Sequence, residues 1–325
     1  MKDELLQAAC DRQPSSGQRT HAATWDIVRV LWLIGIVCCS AVGCASPTYH
    51  YGLRHRTDPN PGLDSVNAIT FGGEHPRLDR CERIVQAPVE KIRDWFVRRS
   101  QDAPEPSELR RTAIYKAQEF LVLNELCDVR IDVREYDPEE QWRRLRENER
   151  IHPFWKYTAG SFTHLQYAWL PGRVFHYDKY NPYTNTLSIN SSTPSMAVYE
   201  AAEAKIIRDR KYPGTYLAAC YLPVVPLFKD ASVANDVLSY ARLRQEWELE
   251  KQLTPQIYAA FGSDLVSQAT SLVPGASYIP FYYKPLLAVA GGIAGKASGH
   301  VVLKERDFER KLISLLHPEG EPRNY

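Results

Sequence analysis

An apolar segment near the N-terminus decides how much of this chain has to form a folded domain. Residues 30–37 are continuously apolar, and small residues extend the run to Val42. This length of about a dozen residues suits the core of a signal peptide, whereas a bilayer crossing needs about 20 apolar residues. Arg19 and Arg29 supply the positive charge that precedes such a core. The segment therefore predicts export, with residues 1–43 as the signal peptide.

The residues that end this segment resemble the lipobox of bacterial lipoproteins. They are Ala41, Val42, Gly43 and Cys44, with alanine where the lipobox usually has leucine. The resemblance implies that Cys44 is lipidated and becomes the new N-terminus. It places the protein in the bacterial cell envelope, anchored to a membrane and either facing the periplasm or in the outer membrane. An uncleaved N-terminal anchor and a buried helix are the two alternatives.

Charge and length limit the partners and the number of domains. The chain has 325 residues, with 40 Lys and Arg against 39 Asp and Glu, so its net charge is only +1. This balance lacks the basic surface of a nucleic-acid-binding protein, and no nucleic-acid partner is expected. The length allows one large domain or two small ones. The membrane, reached through the N-terminal lipid, is the expected partner, and the sequence identifies no protein partner.

The rest of the chain divides by composition into a spacer, a folded domain and an apolar C-terminal part. Residues 44–79 are rich in Pro, Gly and Asn without an apolar period, and we interpret them as a flexible spacer. Residues 80–261 carry the patterns of an α+β domain that is predominantly helical and has a small sheet. The patterns predict helices over 78–99, from Pro104 and from Pro138, a strand over 129–133, and a hairpin of 174–177 with 186–190.

One predicted helix carries the only chemically suggestive pattern. Thr193 and Pro194 are typical of a helix start. In the helix that follows, Tyr199 and Glu203 lie one turn apart on the same face, with Glu200 beside them. In HExxH metallopeptidases two histidines at this spacing bind zinc, and the intervening glutamate activates water.

From Asp178 to about Tyr240 the sequence resembles bacterial envelope proteins of the HExxH type, and in particular glutamate zincins. A strand at 185–190 precedes the helix, and a Tyr-Pro-Gly-Thr-Tyr segment at 212–216 follows it. The resemblance implies a zincin-like domain over residues 80–261. It also implies that an acid from a later helix is the third metal ligand, and Asp230 is the matching candidate.

Both histidines of the motif are replaced here, by Tyr199 and Glu203. Because zinc sites of this type need neutral imidazoles, we predict a domain that has lost peptidase activity, has no cofactor and works as a scaffold or binding module. The alternative is an active metallohydrolase in which Glu203, Asp230 and Tyr199 hold a divalent metal and Glu200 activates water. A third hypothesis is a helix unrelated to zincins. If the acids are buried without metal they need a cation, and Lys205, Arg208 and Lys229 are nearest in sequence.

The apolar segment over residues 262–310 contains three glycines with a regular spacing. Gly291, Gly295 and Gly299 are four residues apart and form a glycine zipper, a flat helix face for close backbone contact. Such a face packs against the Ala-rich helix of the same domain, or it mediates self-association or membrane contact. Residues 311–325 are charged and rich in Pro, which predicts a mobile tail.

Overall fold

Four short strands and many helices give an α+β fold in which helix dominates, as the sequence predicted. The computed structural model describes residues 49–55, 67–96, 106–222, 224–272 and 283–316. The predicted signal peptide and the lipidation site Cys44 lie outside the described residues, as do residues 317–325.

The elements follow in the order strand, two helices, strand, four helices, two strands and five helices. The described strands are β1 (Ile69–Phe71), β2 (Arg130–Val133), β3 (Lys179–Asn181) and β4 (Thr186–Ile189). The first described helices are α1 (Pro76–Phe96), α2 (Pro106–Leu123), α3 (Pro138–Glu147), α4 (Pro153–Trp155), α5 (Ser161–Trp169) and α6 (Gly172–Phe175), with a π-turn at Lys156–Gly160. The later ones are α7 (Pro194–Arg208), α8 (Pro213–Ala219), α9 (Val225–Leu243), α10 (Trp247–Leu272) and α11 (Tyr283–Leu316).

The sheet has the order β1-β2-β4-β3, and only β3 runs antiparallel to its neighbour. Ile131 of β2 pairs with Leu187 of β4, and both side chains are fully buried on one face of the sheet. Asp132 points to the other face, where it accepts a hydrogen bond from Gln141 of α3. Strand β3 is the last strand in this order and is therefore an edge strand. Helices pack on both faces of the sheet.

Helices α2, α7 and α9 form the core on the main face of the sheet. Five small or medium residues of α7 are fully buried: Ala197, Val198, Ala201, Ala202 and Ala204. Because these side chains are short, the backbone of α7 comes close to α2, where Ala113 and Ala117 are also fully buried. The position of α7 is consequently fixed by packing along most of its length.

Local helix signals are confirmed, while the predicted hairpin is only half correct. Helix α3 begins at Pro138, and the carboxylate of Asp137 accepts the Glu140 backbone N–H at 3.0 Å. Helix α7 begins at Pro194, as predicted. The strand predicted at 174–177 is wrong, because those residues end a short helix and β3 begins at Lys179. Its alternating pattern is too short to distinguish strand from helix.

Parts of the predicted spacer over 44–79 are packed against the domain in the described residues. Tyr49 is buried, and its hydroxyl donates to Asn124 at 2.8 Å. Asn67 is also buried and donates to two backbone carbonyls, those of Leu126 and Val129. Strand β1 then pairs with β2. Few residues of this segment enter the core, so the segment shows no apolar period. Hydrogen bonds to the rest of the domain hold it in place.

Helices α10 and α11 pack against each other through the glycine face. A Cβ on Gly291 would lie 2.4 Å from the carbonyl oxygen of Gly262, and one on Gly295 would lie 2.0 Å from that of Tyr258. The prediction of a close-packing face is confirmed, but its partner is α10 and not the Ala-rich α7. The predicted boundaries were also wrong, since position 261 lies inside α10 and α11 continues to Leu316. Within α11, the stretch over residues 286–312 contains an 18-residue window with a mean hydropathy of 1.5, which by length and composition alone could cross a membrane.

Candidate functional site

The candidate site lies where α7 passes the edge strand β3. Tyr180 is the middle residue of β3, and its backbone N–H donates to Glu200 of α7 at 2.8 Å. Glu200 therefore connects the helix to the sheet edge. Burial, together with the nearby charge of Glu203, raises the pKa of Glu200 well above its usual value. Its burial therefore disfavours the charged form of this carboxyl group.

Two of the predicted metal ligands come together in the structure, with a lysine between them. The ammonium nitrogen of Lys229 lies 2.7 Å from a carboxylate oxygen of Glu203 and 3.1 Å from one of Asp230. We call these three residues the Lys229 cluster. Side chains in the cluster are 16% to 23% exposed, so water screens the ion pairs only partly.

Electrostatics favour a charged lysine and a protonated tyrosine at this site. Burial alone would lower the pKa of Lys229, but the adjacent carboxylates of Glu203 and Asp230 outweigh burial and raise it. Burial and the charge of Asp230 raise the pKa of Tyr199 above its usual 10.0. Asp264 of α10 also faces the cluster, and burial together with Asp230 raises its pKa. The phenol of Tyr199 is therefore a poor anionic ligand here.

The residues present do not fit a catalytic metal. A zinc site of this type needs three protein ligands about 2 Å from the ion and an open position for water. In the Lys229 cluster an ammonium group already lies between the two carboxylates. Within the described part of the chain, no three His, Cys, Asp or Glu side chains converge so that they could hold a metal ion. The predicted ligand pair exists, but its cation is supplied by the protein itself.

A cleft of about 230 Å³ opens beside the cluster. Its walls come from β3, α7, α8, α9 and the loop after β3. The polar and aromatic lining includes Lys179, Tyr180, Tyr183, Glu203, Cys220, Tyr221, Lys229 and Asp230. Tyr221 is 63% exposed and stands at the cleft surface. The cleft can therefore take a ligand that combines a flat apolar group with polar atoms.

Sequence reasoning found the acids of this site and one of the candidate cations. Of the three nearest cations, only Lys229 contacts the predicted ligands. Lys205 pairs with Asp236 at 2.9 Å, and Arg208 pairs with Asp128, also at 2.9 Å. The lining residues of α8 and β3 and the acid of α10 were missed. The aromatic residues of the 212–221 segment were the one sequence signal that pointed to these lining residues.

Comparison with known proteins adds no assignment to this geometry. No protein-family model matches the sequence, and no curated protein or solved structure matches it. We therefore infer the chemistry of the site from its own parts, which are an edge strand, a buried helix, two carboxylates and the ammonium group between them.

Proposed function

We propose that this protein is a lipid-anchored component of the bacterial cell envelope whose zincin-like domain lacks peptidase activity and serves as a binding module. The observation that carries the proposal is the Lys229 ammonium, which contacts Glu203 and Asp230 at 2.7 and 3.1 Å. A fixed cation between the acids replaces the metal that would activate water. The domain then keeps a cleft without the means of hydrolysis.

The arrangement around the cleft supports the zincin-like assignment. The helix that carries Tyr199, Glu200 and Glu203 follows the sheet directly and packs on its main face. The later helix α9 brings Asp230 to the same point, as the resemblance in sequence implies. The antiparallel edge strand β3 borders the cleft. The backbone N–H of Tyr180 in this strand already donates to Glu200, so a ligand in the cleft would be held by lining side chains such as Lys179, Tyr183 and Tyr221.

Restoring the two histidines and removing the lysine tests the proposal. The variant carries Tyr199→His, Glu203→His and Lys229→Ala, so that two imidazoles and Asp230 surround the position of the ammonium. We expect stoichiometric zinc in this variant, measured by elemental analysis after purification without chelator. The variant that retains Lys229 should bind zinc more weakly, because the ammonium repels the ion.

The matched control and the unaltered protein decide between the alternatives. Adding Asp230→Asn to the triple variant should abolish the gained zinc, since it removes the third ligand. A folded triple variant without zinc affinity would reject the zincin-like assignment. A stoichiometric cation in the unaltered protein, together with peptidase activity lost in Glu200→Gln, would instead establish the metallohydrolase alternative.

The membrane anchor is tested separately, because it rests on the lipobox-like sequence alone. We expect mass spectrometry of the mature protein from a bacterial membrane to find an acylated N-terminal Cys44 and no residues 1–43. Cys44→Ser should accumulate as an unprocessed precursor. A mature chain that begins elsewhere, or that carries no lipid on Cys44, contradicts the anchor without affecting the assignment of the domain.

A further inference from the structure

Helix α11 has an apolar face that is exposed in the described part of the chain. We call it the α11 apolar face and define it as Leu286, Val289, Ile293 and Val301, whose exposed fractions lie between 57% and 67%. Their spacing puts them on one side of the helix. Only 6% of the 18-residue apolar window within residues 286–312 is buried. Single exposed apolar residues are common, but a continuous row of them marks an interaction surface.

The glycine contact with α10 keeps this face directed outward. Ile293 lies two residues from Gly291 and from Gly295, which puts it on the opposite side of a helix with 3.6 residues per turn. Because the glycines contact the α10 backbone, α11 cannot rotate to bury its apolar side without separating the helices. The exposure of the face is therefore built into the packing.

Helix α10 in turn is part of the main domain. Its Leu253 is fully buried, and the side chain of Gln256 accepts a hydrogen bond from Ser195 of α7 at 2.8 Å. Farther along α11, Arg306 contacts Glu250 of α10 at 3.4 Å. A helix held in this way cannot cross a bilayer alone, but it can lie along a membrane surface.

The charge around the face fits the surface of a phospholipid bilayer. Residues 265–303 contain no Asp or Glu, and their two lysines are Lys284 and Lys296. Lys296 and Lys304 each lie three residues beyond a member of the face, so they project toward the same side of α11. Long lysine side chains next to an apolar surface reach the lipid phosphates while their methylene groups stay in the apolar layer.

We infer that the α11 apolar face is a second membrane contact, which lies in the interface of a phospholipid bilayer. A second copy of the chain is the less suitable occupant, because residues 265–303 contain no Asp or Glu that could pair with Lys296 and Lys304 of the other copy. A bilayer provides an apolar layer for the side chains and phosphates for the lysines. The contact would hold the domain against the membrane in a fixed orientation.

Photo-crosslinking from the face tests this inference in the full chain. Ile293 is replaced by the photoreactive residue p-benzoylphenylalanine, and the protein is reconstituted in vesicles of phosphatidylcholine and phosphatidylglycerol. We expect phospholipid adducts after irradiation, identified by mass spectrometry. The matched control carries the same residue at Glu248 of α10, whose side chain is 77% exposed, and we expect no lipid adducts there.

Adding Val289→Glu to the Ile293 protein gives a second readout. Because Val289 is exposed, the fold should be retained, and the lipid adducts should fall by roughly tenfold, as expected when one apolar side chain loses its burial. Covalent dimers from position 293 would show that a second copy covers the face and would overturn the inference. Equal adduct yields from positions 293 and 248 would overturn it as well.

Discussion

Replacing Gly295 with alanine is expected to destabilise the protein by about 2 kcal/mol, because the added methyl group has no space between α10 and α11. A Cβ at this position would lie 2.0 Å from the backbone carbonyl oxygen of Tyr258. A backbone oxygen cannot move aside as a flexible side chain can, so the helices must separate. Urea unfolding followed by far-ultraviolet circular dichroism measures the loss.

The matched control is Gly292→Ala in the same helix. A Cβ on Gly292 would lie 3.4 Å from its nearest neighbour, the carbonyl oxygen of Ala259. This contact can be accommodated, and alanine favours the helix over glycine by up to about 1 kcal/mol. The two substitutions should therefore change stability in opposite directions. Equal free-energy changes would contradict a close-packing glycine face.

Replacing Lys229 with methionine is expected to cost about 3 kcal/mol, since it leaves Glu203 and Asp230 close together without a cation. Methionine has a similar length and retains the apolar contacts, so the change tests the charge and not the packing. The free energy of unfolding, from urea titration at neutral pH, measures the effect.

Two further variants separate this effect from general sensitivity to lost charge. The surface pair of Lys251 and Glu248, with side chains 42% and 77% exposed, provides a control, and Lys251→Met should cost under about 1 kcal/mol. Adding Glu203→Gln and Asp230→Asn to the Lys229→Met variant should recover most of the stability, because uncharged amides need no cation. A Lys229→Met variant as stable as the unaltered protein would show that the ammonium does not stabilise these acids.

The glycine contact fixes α11 on α10 and thereby exposes its apolar face. The Lys229 cluster joins α7 to α9 at the cleft and supplies the positive charge there. Both contacts depend on distances between residues of different helices, so each can be removed by one substitution without altering the rest of the chain.

Local sequence signals predicted several elements and one packing face correctly. Asp137 precedes Pro138 at the start of α3, and Thr193 precedes Pro194 at the start of α7. The sequence predicts these helix starts because they depend on the chemistry of a few neighbouring residues. The glycine spacing predicted a close contact because it repeats with the helix period. The alternating pattern at 129–133 predicted β2 for the corresponding reason.

Only the tertiary structure decided which residues meet. The sequence offered three cations for the acids, and packing of α9 on α7 selected Lys229, while Lys205 and Arg208 found other carboxylates. It also placed Tyr49 in the core and made α10 the partner of the glycines. These contacts join residues far apart in the chain, and many pairings satisfy the same local patterns. The pairing that occurs buries the small residues of α7 between α2 and α9 and at the same time places a cation beside Glu203 and Asp230.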